Sequence, residues 1–324
     1  MAIVGLAGFA GVVVFGLLYI VFFFKGISLK LPVIGMVLFT LVVAVAALFT
    51  KLGFNIPFLS GSDAEPTETV WEEGPDGVES LTPGADGFPQ LLLNKRGLVI
   101  TATGLTEGGG EGPTLNVTIE NRSETGVTVQ VSDPSVNSWM MDATFSVDVA
   151  AGQKAEGSIL FLSSKMERSG IETIADMEFS FHILNQDRVT FLDSDPVTVR
   201  TPAADTYQDS FDDSGEELYN ENGVRIIAKG FSETESVFGP GLVLFLENTT
   251  DKAITVQAKD VSVNGSAADV IFSEDILAGK RSAAAVIVIG VPLQDIRNMK
   301  FYCRVLDRDQ RTTLFDTAPF TIVV

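Results

Sequence analysis

Leu115-Asn-Val-Thr-Ile-Glu120 and Val127-Thr-Val-Gln-Val131 alternate apolar and polar side chains without a break. A period of two marks a strand with one face in a core and the other in water. Asn121-Arg-Ser-Glu-Thr-Gly126 between them has the composition of a turn or short loop. The stretch also comes twice. Glu120-Asn121, Val136-Asn137, Phe145-Ser146 and Ala151-Gly152 recur 127 residues later as Glu247-Asn248, Val263-Asn264, Phe272-Ser273 and Ala278-Gly279. Gly97 and Gly104 recur as Gly223 and Gly230. Met177 and Phe179 recur as Met299 and Phe301, and Asp193 and Pro196 as Asp316 and Pro319. A copy of this length buries its own core, so the repeat is a duplicated domain and not a solenoid unit.

Working outward, Leu98–Thr103 and Val224–Lys229 are β-rich runs opened by glycine, and residues 177–183 and 299–305 alternate again. About eight strands per copy predict a mainly β protein with two tandem, antiparallel, immunoglobulin-like sandwiches. Residues 163–170 predict one helical turn capped by Gly170, an elaboration of a loop. The predicted domains are residues 91–201 and 219–324, joined by an acidic linker at 202–218 and preceded by an acidic stalk at 53–90.

The first 52 residues belong to another solvent. Residues 2–24 and 31–50 are apolar runs, each long enough to cross a bilayer as a helix. Lys25-Gly-Ile-Ser-Leu-Lys30 between them leaves room only for a tight hairpin. Its two lysines place that loop in the cytoplasm, with the N-terminus and both repeats outside the cell. A cleaved signal peptide fits less well, because the first run lacks a basic leader.

The formal charge is −20, and the first 60 residues hold three lysines and no acid. The acid therefore lies in the remainder, which argues against nucleic acid and anionic lipid as direct ligands. Asp212-Asp-Ser-Gly-Glu-Glu217 could hold calcium, although it lacks the ligand alternation of an EF-hand loop; a hydrated linker is the plainer expectation. The single cysteine, Cys303, rules out an intrachain disulfide. The four Asn-x-Ser/Thr matches, at Asn116, Asn121, Asn248 and Asn264, are read as chance.

Catalytic chemistry has few candidates. His182 falls on the outward face of its strand and Cys303 on the inward one. Asp193 and Asp195 precede a proline and read as a solvated turn, and the glycine run at 108–110 as a flexible one. No nucleophile elbow, zinc-protease motif, paired cysteines or phosphate loop is present. The expectation is a protein that is not an enzyme and needs no cofactor or metal. One copy-specific feature stands out. Ser138-Trp-Met-Met-Asp142 in the first copy faces Gly265-Ser-Ala-Ala-Asp269 in the second. Trp139, Met140 and Met141 could form a partner-binding edge; the alternative is that Trp139 caps its own core or packs on the neighbouring domain.

The residues Ile119-Glu-Asn121, Val127–Val131, Ser135-Val-Asn137, Asp148-Val-Ala-Ala-Gly152, Ile174–Ile183 and Asp195-Pro-Val-Thr-Val199 resemble extracellular repeats of uncharacterised membrane-anchored proteins of clostridia and related bacteria. Many of those carry a zinc ribbon ahead of a single span. This chain has no CxxC pair and two apolar runs instead. The resemblance covers both repeats and implies the fold and a place at the cell surface, with no catalytic residue to carry over. The sequence thus predicts a non-catalytic, membrane-anchored envelope protein that binds a protein partner or itself. The alternative is an accessory subunit of a larger membrane complex, docked through its hairpin. The last strand, ending at Val324, could close its own domain or add to a neighbour's sheet.

Overall fold

Alternating sequence becomes alternating burial. In the computed structural model, which describes residues 83–324, β3 (Gly112–Asn121) buries Leu115, Val117 and Ile119 and turns Asn116, Thr118 and Glu120 outward. The predicted hairpin at residues 2–24 and 31–50, and residues 53–82 of the stalk, lie outside the described residues. Among the described residues no helix is long and apolar enough to cross a membrane.

The first repeat runs β1 (Gln90–Lys95), β2 (Leu98–Gly109), β3, β4 (Val127–Val136), β5 (Trp139–Met140), β6 (Ala143–Thr144), β7 (Ser146–Val149), β8 (Lys154–Phe161), a short helix α1 (Ser163–Arg168), β9 (Asp176–Asn185), β10 (Thr190–Asp193) and β11 (Val197–Arg200). One sheet has the order β1-β2-β3-β8-β6, and the facing layer sets β4 beside β9, with β7 on β4 and β10 and β11 on β9. This is the connectivity of an immunoglobulin-like sandwich with one strand, β1, added at the edge.

The second repeat copies it with β12 (Glu216–Glu221), β13 (Val224–Ser236), β14 (Gly239–Asn248), β15 (Ile254–Val263), β16 (Ser266–Ala267), β17 (Val270–Ile271), β18 (Ser273–Ile276), β19 (Arg281–Val288), β20 (Asn298–Asp307), β21 (Thr312–Asp316) and β22 (Phe320–Val323). Eleven segments per copy replace the expected eight, because two short segments are added (β5 and β6, or β16 and β17) and the closing edge strand breaks at proline into β10 and β11, or β21 and β22. The terminal strand β22 pairs with β20, so it closes its own sandwich.

The shared landmarks are turn devices. Asn121 is fully buried; its amide nitrogen donates to the carbonyls of Thr125 (2.8 Å), Val149 (3.1 Å) and Ala150 (3.2 Å). Asn248 repeats this with Lys252, Ile276 and Leu277 at 2.7, 3.0 and 3.1 Å. Each ties the loop before its fourth long strand to the turn after the short edge strand. Asn137 and Asn264, at φ of 50° and 54°, do the same at the other end. Each accepts two backbone N–H groups and donates to one carbonyl. Gly112 and Gly239 are demanded by sterics: at φ of 128° and 153°, a Cβ would fall 1.9 and 2.0 Å from the carbonyl oxygens of Phe161 and Val288.

The two sandwiches are one body. β5 pairs with β4 on one side and, in parallel, with β19 of the second repeat on the other. This joins the β4–β9 layer of the first repeat to the β14–β13–β12 layer of the second in a single eleven-stranded sheet. The cores interlock as well. Ile227, Phe245 and Ala283 of the second repeat belong to the first core, and Met140 of the first belongs to the second.

Candidate functional site

Trp139 sits at the centre of the junction, 3% exposed, with Met140 at 5% and Met141 at 4%. The expected partner-binding edge is therefore corrected for these three residues, which face the inside of the chain. The Trp139 ring meets Phe245 of the second repeat edge-on (centroids 5.5 Å) and Phe211 of the linker likewise (5.9 Å). Phe211 and Phe245 stack at 5.4 Å. The Arg281 guanidinium lies 4.1 Å over Phe211 and 5.4 Å over Trp139, and it pairs with Asp209. Strand β5, the linker and strand β14 thus each contribute one ring to one cluster, closed by a cation over two ring faces.

Ion pairs fasten the rim. Lys165 on α1 is buried and meets Glu274 at 2.6 Å, where the Ser282 hydroxyl also donates (2.5 Å). Arg168 meets Glu235 at 2.5 Å, Lys280 meets Glu178 at 3.0 Å and Arg308 meets Asp133 at 2.5 Å. The helix at 163–168 is thus a wedge between the repeats and more than a loop elaboration. Gly170, at φ 67°, ends it as expected.

The acidic linker is pinned down, not loose. Asp212 meets Lys229 at 2.8 Å, and Asp213 and Glu217 meet Arg225 at 2.9 and 2.8 Å. The Lys229 ammonium and the Ser214 groups hold the Asp212 carboxyl well below its usual range, and the hydrogen bond from the Arg225 guanidinium lowers that of Glu217. Three of the four carboxylates considered for calcium, Asp212, Asp213 and Glu217, face these bases, and among the described residues no three ligating side chains cluster for a metal. His182 lies on the outward face, 2.6 Å from Asp193, where the second repeat has Arg304 and Asp316 at 2.8 Å. Cys303 is fully buried, and burial pushes its thiol up to about 12.

Surface openings lie elsewhere. In the second repeat a groove of about 590 Å³ opens between edge strands β12 and β21–β22. Tyr219 and Phe315 stack on one another there at 5.5 Å, with Glu217, Glu221 and Asp316 along the lining. Sequence reading missed this site because β12 was taken for the end of an acidic linker. The one available signal was Leu218-Tyr219 among acids.

No family model matches the chain, and no curated protein matches it. Similar solved structures include the YadV chaperone, 12% identical over 70% of this chain and 100% of that one (TM-score 0.23). The complex of Salmonella enterica SafA pilin with the SafB chaperone is 12% identical over 72% of this chain and 98% of the matched one (0.23). The E. coli chaperone DraB is 12% identical over 70% and 96% (0.21). At these scores nothing of those proteins' activity transfers to this chain. The β-sandwich that the clostridial resemblance implies is the fold observed, and no match bears on that clostridial family itself.

Proposed function

We propose that the chain is a non-catalytic protein-binding module of a bacterial cell envelope, anchored by residues 2–24 and 31–50, with both repeats outside the cell. The supporting observation is the shared sheet. A spacer needs only a flexible joint, whereas fusing two sandwiches through β5 and β19 fixes the spacing and angle of their free loops and edges, which serves recognition. The apolar runs and the two lysines between them support the anchor and its direction. A second reading, an accessory subunit of a larger membrane complex, draws on there being two apolar runs where anchoring needs one.

The test is cross-linking in native membranes, extraction in mild detergent and weighing of the product. A discrete complex with a soluble or surface protein is the expected result. A complex with a polytopic protein that dissolves when residues 1–50 are exchanged for an unrelated anchor would move the function to the hairpin. A lone monomer under every condition would contradict protein binding. Direction is read separately by labelling Ser62→Cys on intact cells with an impermeant maleimide, since Cys303 is buried and silent; no labelling without lysis would sink the outside placement.

A further inference from the structure

The two copies treat one seam differently. In the first, the seam between the β1 edge and the β10–β11 edge is shut twice. The Gln90 amide nitrogen donates to the Arg200 carbonyl (2.6 Å) while its oxygen accepts the Arg200 N–H (3.2 Å). Arg96 lies 4.8 Å over the Phe191 ring and donates to the Phe191 carbonyl. Arg96 does this from φ 55°, a left-handed turn position that favours Asn or Gly. The second copy carries the favoured residue, Asn222, at the same point (φ 53°), so Arg96 is a turn compromise that its ring contact explains.

Every closing group is changed in the second copy. The β12–β13 register puts Glu216 opposite Ala228 as Gln90 is opposite Ala102. A carboxylate has no N–H to give a carbonyl. Asn222 is too short to reach across and bonds the Tyr219 hydroxyl (2.7 Å). Leu314, exposed, replaces Phe191. What remains is the open groove with the Tyr219–Phe315 stack as its floor. Arg225 and Arg304 occupy Glu217 and Asp316, whereas Glu221 has no ion pair among the described residues. β12 is hydrogen-bonded to β13 alone, and β21 and β22 to β20 alone, so each strand has an unused backbone edge.

We infer that this groove seats an extended, arginine-bearing segment of a partner protein, whose guanidinium covers the Tyr219–Phe315 pair and meets Glu221, as Arg96 covers Phe191 in the first copy. Charge complementarity selects the occupant: an acidic chain with one uncommitted carboxylate beside an aromatic floor fits a cation with a flat face. An open strand edge beside it fits an extended backbone. The inference rests on the protein-binding reading and gives it a place and a chemistry.

The probe is a fluorescein-labelled octapeptide alternating threonine and arginine, followed by anisotropy with the full chain in mild detergent, against the same peptide with citrulline for arginine. The arginine peptide should bind at least about ten-fold more tightly than the citrulline one, the size of one desolvated cation–π contact. Asn222→Arg, which places the first copy's cation beside the Tyr219–Phe315 pair, and Tyr219→Ala should each weaken it about ten-fold, while Asn222→Gly, which keeps the turn, should not. No binding, equal binding of both peptides, or binding indifferent to Asn222→Arg overturns the inference; the last would mark general attraction to an acidic surface. Should a cross-linked protein complex form with wild type and Asn222→Arg alike, the groove falls and protein binding stands.

Discussion

Trp139 of the first repeat and Arg281 of the second are paired through their backbones, and the Arg281 guanidinium also lies over the Trp139 ring at 5.4 Å. One residue pair therefore joins the sheets and closes the aromatic cluster. Trp139→Ala removes a buried ring that touches Phe211, Phe245 and Arg281. It should cost about 3–5 kcal/mol and leave unfolding in two steps where the wild type has one. A single transition with unchanged midpoint in calorimetry would refute the coupling.

Lys165 and Glu274 are both largely removed from water. Lys165→Met alone leaves the Glu274 carboxylate without its cation, with only the Ser282 hydroxyl to meet it, and should destabilise by about 3–5 kcal/mol. Lys165→Met with Glu274→Leu should recover most of that loss, because the desolvation of both charges disappears together. Denaturant midpoints for the wild type, the two single variants and the double variant decide it; additive losses would mean that the pair is not coupled.

The amide of Asn121 satisfies three carbonyls inside the fold. Asn121→Ala should cost about 2–4 kcal/mol, since removing the donor leaves several buried acceptors unpaired. Asn248→Ala should cost the same for the same reason. Hydrogen exchange should quicken first in the loop at 122–126 or 249–253. Protection unchanged in those loops would show that the asparagines carry no such load.

Acid should loosen the linker before it unfolds the sandwiches. Lys229 depresses the pKa of Asp212, and Arg225 that of Glu217. A carboxyl lowered in the folded state stabilises above its unfolded pKa, and that stability fades as pH falls through the folded value. Both carboxyls are exposed, so the effect is small and screened by salt. Proteolytic nicking within residues 206–215 should rise below about pH 4, and Arg225→Gln should bring it on at higher pH. Nicking independent of pH between 3 and 7 would oppose this.

The strands were legible because one face of each first-copy strand is wet: Asn116, Thr118 and Glu120 alternate with core residues. The junction was legible too, in a contrast left unread. Where the first copy has Leu115-Asn-Val-Thr-Ile119, the second has Leu242-Val-Leu-Phe-Leu246, and Ala283-Ala-Ala-Val-Ile-Val288 is apolar throughout. A strand apolar on both sides is covered on both sides, and here the first repeat covers it. Phe211, with Tyr207 one of two rings in an acidic tract, gave the same message about the linker. The groove was harder to see: it depends on Glu216–Glu221 being a strand, and its charge argues locally for a loop.

The central claim is that the two repeats form one rigid body, and pulsed electron resonance between two spin labels tests it most directly. Glu156→Cys and Thr313→Cys place one label on each repeat at exposed positions, with Cys303 buried and unlabelled. A single narrow distance distribution is predicted, broadening when Trp139→Ala is added. A broad distribution in the unaltered junction, of the kind given by two domains on a flexible tether, would contradict the account.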